Sequence, residues 1–204
     1  MVMRRGPAIS TVLVLVTITA APLVSSEATR APCVKAVVFD GHNLVPGGLG
    51  PVRRAVEREL RRLGVQPTWM KDGDLESAGS VLHVVLLPHS AKDWGRTDET
   101  LGAVRLDGAS ASSVFVFYPS VKQALGVPAN GTSILGGTPG TLWVRGLARI
   151  IVHEGLHVLL PHRPHDAAGL FASNLKAREL LAAELELDAE THSALVARLC
   201  TAPF

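Results

Sequence analysis

An α/β domain, with one mixed sheet, two helices against it and a helical C-terminal part, is the fold class this sequence predicts. Three observations lead there. Short β-branched apolar runs alternate with an amphipathic helix in the first half of the chain, a long helical run is ended by a proline, and a Glu- and Leu-rich helical stretch follows near the C-terminus.

In chain order, 34–39 (VKAVVF) reads as a buried strand that runs into the turn-rich segment 40–50. Residues 51–63 form an amphipathic helix. Pro51 suits its first turn, Val56, Leu60 and Leu63 keep helical spacing, and Gly64 closes it. Its arginines (Arg53, Arg54, Arg58, Arg61 and Arg62) are interleaved with Glu57 and Glu59 and read as a solvated face. Strands are expected at 65–70 and 81–87, with a weaker one at 101–106 bounded by the Asp107-Gly108 turn. A convincing strand follows at 113–118, then a short helix at 121–125. The Gly- and Pro-rich loop 126–140 carries Asn130-Gly131-Thr132, which matches a glycosylation acceptor. Pro161 stops the helix 141–160, and 174–199 reads as one final helix. Tyr118, Trp69, Trp94 and Trp143 read as packing residues, and His83 and His89 as core or strand-end histidines. His42 and Asn43 fall in a glycine-rich loop, the kind of segment that lines clefts.

At the N-terminus, Arg4 and Arg5 precede an almost unbroken apolar and hydroxyl run at 8–24, and the small residues Ser25, Ser26 and Ala28 follow. This layout predicts a secretory signal peptide at 1–28, a single domain at 29–204 and a secreted or periplasmic location. Pro22 and a run shorter than the roughly 20 residues a spanning helix needs oppose the rival reading of a retained anchor. Little sequence separates the expected signal from the first strand, so an inhibitory prodomain is not expected. The composition is 47% hydrophobic but only 4% aromatic, which predicts a core of Val, Leu and Ala. A formal net charge of +2 gives no electrostatic reason to expect nucleic acid as a partner. The two cysteines, Cys33 and Cys200, read in an oxidising compartment as one disulfide between the ends of the domain; two unpaired buried thiols are the alternative.

The chemistry is carried by His153-Glu154-Gly155-Leu156-His157, an H-E-x-x-H pattern late in the 141–160 helix. Spacing of four puts both imidazoles on one helix face, one turn apart, where they can share an ion. Glu154 is turned about 100 degrees from His153, out of the ligand position but within reach of a water on the metal. Zinc (Zn2+) lowers the pKa of such a water towards 7, and a carboxylate beside it takes the proton. Glu154 is therefore the expected catalytic base. A catalytic zinc needs a third protein ligand. His165 is preferred, because Pro161 and Pro164 let the chain turn back toward the ion; His162 and Glu184 compete with it.

Together with His165-Asp166 and Gly169-Leu170-Phe171, this stretch resembles the active-site region of metzincin metallopeptidases, matrixins in particular. That resemblance implies a zincin-like twisted mixed sheet with two packed helices, an active-site helix and a C-terminal helix. It also implies zinc held by His153, His157 and His165, hydrolysis of a peptide or protein substrate, and a sheet edge near 101–106 that aligns it. The family pattern H-E-x-x-H-x-x-G-x-x-H is altered here: Leu160 stands at the glycine and the third histidine comes two residues later. Phe171 falls where the family has the methionine of its Met-turn, and Asp166 where it has a small polar residue. The gluzincin pattern, with a glutamate on a later helix and an aspartate four residues on, is matched by Glu184 and Asp188. A third reading is an exported zinc-binding or interaction protein without turnover.

Overall fold

The computed structural model describes residues 33–70, 81–97, 99–106, 111–127 and 139–201. They fall within one unit, Ala31–Phe204. The expected signal peptide and the Asn130-Gly131-Thr132 sequence lie outside them.

Five strands make one mixed sheet: β1 (Cys33–Phe39), β2 (Gln66–Trp69), β3 (Val81–Leu87), β4 (Gly102–Leu106) and β5 (Ala111–Phe117), in the order β2-β1-β3-β5-β4. β1, β2, β3 and β5 run parallel, and β4 pairs antiparallel with β5 at the sheet's edge. The helix α1 (Gly50–Arg62) provides the crossover from β1 to β2 that a parallel pair requires. It ends as expected at Gly64, whose φ of +73° a side chain would strain. A short helix α2 (Tyr118–Ala124) leaves β5 directly, three residues earlier than the sequence suggests.

The period-two alternation of the strands sorts their side chains between two faces. Val34, Ala36, Val38, Leu82, Val84, Leu86, Val114 and Val116 join one core with α1 and the long helix α3 (Pro139–Leu159). On the opposite face, Val37 and Val81 pack with Phe39 and Met70. There Trp94, in a 3₁₀ turn at Ala91–Trp94, packs at a tilt on Phe115 and edge-on against Phe117. The helix α3 contributes Leu147, Ile150, Ile151 and Leu156, each at most 2% exposed. This burial seats the helix on the sheet with its last turns beside β4. Among the described residues, no helix is long and apolar enough to cross a membrane.

Two expectations are corrected. The single helix over 174–199 is instead two, α4 (Ala177–Leu181) and α5 (Ala189–Thr201), separated by extended chain. In that link Leu185 and Leu187 turn toward the core while Glu184, Glu186 and Asp188 are exposed, the alternation of a strand rather than a helix. The backbone carbonyls at the end of α4 are taken by arginines of α3, which leaves no helical ladder to continue. The second correction concerns the cysteines. Cys200, expected in a disulfide, is a free, exposed thiol on α5.

Candidate metal centre

The late turns of α3 carry His153 and His157, both set by the helix register, and the chain beyond Pro161 returns His165 to them. One ligand nitrogen from each of the three imidazoles lies within 4.8 Å of the others. The Nε2 atoms of His157 and His165 are 3.1 Å apart. Two ligands on a tetrahedral ion with bonds of 2.0–2.1 Å would sit about 3.3 Å apart, so the spacing fits a shared metal. His165 is exposed, His157 half-buried and His153 buried, which leaves one side of the cluster open to solvent.

His153 is oriented by a single bond. Its Nδ1 lies 2.8 Å from the carbonyl oxygen of Leu170, and since a carbonyl only accepts, Nδ1 carries the proton and donates it. Nε2 is thereby left with its lone pair, the form a metal requires. Burial also favours neutral rings. It lowers the pKa of His153, and for His157 burial, with repulsion from His153 and His165, pushes the value down to about 4. Phe171, fully buried, lies under all three imidazoles, with ring centroids 5.7, 4.7 and 5.3 Å from His153, His157 and His165. The donor set and its apolar floor thus suit a borderline metal ion such as zinc, copper, iron or nickel.

The turn that carries Phe171 is closed on itself. Asp166 donates its N–H to the Phe171 carbonyl, which holds the residue beside His165 against that turn. The Asp166 carboxylate accepts from Thr191 Oγ1 on α5, and Thr191 in turn accepts from Arg163 Nε at 2.8 Å. Asp166 thus ties the turn through both its backbone and its side chain.

Glu154, offset from the imidazoles by its helix position, packs its carboxyl against β4. A Cβ on Gly102 would lie 2.5 Å from its Cγ and 2.7 Å from its Cδ and Oε1, so only glycine in β4 lets the carboxyl occupy this place. Burial pushes its pKa up to about 7. Glu154, the three histidines, Leu101, Gly102, Ile150 and Leu175 line one cleft of about 340 Å³, with Thr97, Glu99 and Asn174 at its polar side.

The competing ligands are placed elsewhere. Glu184 lines a different groove with Arg62, Leu63 and His192, and its partner Asp188 begins the turn into α5. The break between α4 and α5 removes the single helix on which the Glu184/Asp188 spacing depended. His162 shares a neighbouring groove with His157 and Glu154, but its φ of +69° places it in the turn itself and it is outside the ligand cluster. Tyr118 is a packing residue, 5.3 Å from Trp143 centroid to centroid. Sequence reasoning missed Gly102 and the Leu170 carbonyl. A glycine inside a strand is a signal of close approach that was there to be read, whereas a backbone acceptor leaves no trace in residue type.

Comparison with known families, curated proteins and solved structures returned no match. The functional reading therefore rests on the chemistry of this site.

Proposed function

We propose that the chain is a zinc-dependent peptidase with Glu154 as its general base, exported by way of residues 1–28. The observation that carries this reading is the position of Glu154: a buried carboxyl, held in the space that Gly102 vacates, shares one cleft with three metal-ready imidazoles. His153, His157 and His165 would hold the zinc, which would supply Lewis acidity and activate water. The chain's own residues do the rest. The Leu170 carbonyl keeps His153 in the tautomer that presents Nε2, and Phe171 keeps the floor of the site apolar. Glu154 accepts the proton of the attacking water at its carboxylate and returns it to the leaving amine. Among the described residues β4 is an edge strand that runs along the same groove as Glu154 and His157, and an edge strand offers backbone groups to an extended chain, which favours a peptide over a compact substrate. The zincin-like fold is part of the same proposal, supported by the edge position of β4, the long helix bearing the motif and the returning His165.

The histidine cluster alone supports a broader reading, an exported metal-binding protein without turnover. A broad peptide library separates the two. Zinc-loaded wild type should cleave it, a chelator should stop the reaction, and Glu154→Gln should abolish it while zinc content stays near one per chain. An uncleaved library with zinc bound would leave only the broader reading.

A further inference from the structure

We propose that Arg149, a residue with no place in the ligand set or the proton transfer, is a positioning residue for the metal site. It anchors the chain segment that holds Leu170 and Phe171 beneath the imidazoles. The inference rests on the metal-site reading.

Arg149 sits on α3 one turn before His153, in the apolar run Leu147-Ala148-Arg149-Ile150-Ile151, and is 0% exposed. A buried guanidinium is costly unless its donors are met. Here Nη1 donates to the carbonyls of Glu179 (2.9 Å), Leu180 (3.0 Å) and Ala182 (2.9 Å), and Nη2 to Ala183 at 3.4 Å. Nε makes no hydrogen bond, but lies 3.7 Å from the carboxylate of Glu59, itself buried on α1, which supplies the opposite charge. Arg149 therefore gathers four of the carbonyls at the end of α4, where a helix leaves them unsatisfied, and Arg145, one turn earlier on α3, donates to Leu181 (3.3 Å) and shares Ala182 (3.1 Å). Only arginine, with its planar fork of donors, can serve so many at once.

From that anchor the chain runs three residues to Glu186, whose carbonyl accepts the N–H of Leu170 at 2.8 Å. Gly169 makes the contact possible. Its φ is +85°, and a Cβ there would collide with the Glu186 carbonyl oxygen. The Leu170 carbonyl then accepts Nδ1–H of His153, and the Phe171 carbonyl accepts the N–H of Asp166, beside His165. A continuous path of hydrogen bonds and short chain thus leads from Arg149 to two of the three ligands. Without Arg149, Arg145 still holds Leu181 and Ala182, but 183–186 loosens, the 169–171 turn loosens with it, and His153 loses its fixed acceptor at Leu170.

The experiment uses two variants of the full chain. R149M keeps the bulk and removes every donor; G169A leaves Arg149 in place and forces the Glu186 carbonyl away from Leu170. Nitrogen-15 NMR of the metal-free protein reads which ring nitrogen of His153 is protonated, and chelator competition reads zinc affinity. Both variants are expected to keep wild-type helix content, to lose the single Nδ1–H form of His153, and to bind zinc about 10–100-fold more weakly. A folded R149M with the wild-type tautomer and an affinity within about threefold overturns the proposal, because a merely structural arginine would leave both unchanged. Should R149M fail to fold, hydrogen exchange in the wild type decides. Zinc should protect the amide of Leu170 together with those of Leu180 and Ala182, and protection confined to 153–171 overturns the anchor. A wild type that binds no zinc defeats the metal reading alone, since the His153 tautomer is read without metal.

Discussion

Gly102 and Glu154 show how much of this site depends on a missing side chain. A Cβ at residue 102 meets the far end of a flexible glutamate rather than backbone, so the glutamate yields and the fold survives. Gly102→Ala should leave zinc content and thermal stability near wild type while lowering peptidase kcat on the order of 10²-fold, the cost of misplacing a catalytic group by about an ångström. Paired measurements of metal content and kcat check this; unchanged kcat would mean that the carboxyl's position in β4's gap is immaterial. Tyr118 makes a second prediction at the same scale. Burial, aided by Asp40, pushes its pKa up to about 12, so the folded protein holds the phenol proton more tightly than the unfolded chain does. The stabilisation is complete below the ordinary tyrosine value near 10 and is lost as pH rises through 12. Denaturant unfolding across that window should show stability falling with pH, and Tyr118→Phe should flatten the fall.

At the scale of elements, α3 does two jobs with two faces. Leu147, Ile150, Ile151 and Leu156 fasten it to the sheet, and His153, Glu154 and His157 look into the cleft. Leu156 lies inside the H-E-x-x-H pattern and is 0% exposed, so the spacing of the motif and core packing are locked in one turn. Leu156→Ala should cost about 3 kcal/mol and lower Tm by roughly 6–12 °C. Calorimetry of the metal-free protein measures it without interference from metal binding. The same logic explains the break between α4 and α5. The alternation of Leu185 and Leu187 with charged neighbours could be read from sequence as extended chain; the abundance of Glu and Leu, good helix formers, outweighed it.

For the whole molecule, the three candidate ligands from α3 and the following turn would tie local order to metal under the proposed reading. Zinc at about 1,000 times its Kd stabilises a folded chain by about 4 kcal/mol, roughly 8–16 °C in Tm for a domain of this size. Chelation should reverse that gain, and His165→Ala should make the melting temperature insensitive to zinc. A wild type whose Tm is indifferent to zinc and chelator would remove the metal from the account of this fold.

Sequence alone determined the strands, the helices α1 and α3, the mixed α/β class and the histidine pair on one helical face. Each follows from local periodicity, and a spacing of four on a helix needs no tertiary knowledge to interpret. His165 was legible as a preference, because prolines announce a turn without saying where it leads. Only the tertiary structure separated His165 from His162 and Glu184, placed Glu154 against Gly102, left Cys200 unbridged and brought Arg149 to the carbonyls of α4. Those outcomes depend on backbone groups and on contacts between distant segments. A carbonyl oxygen is the same in every residue, so its role as an acceptor is decided by where the chain places it.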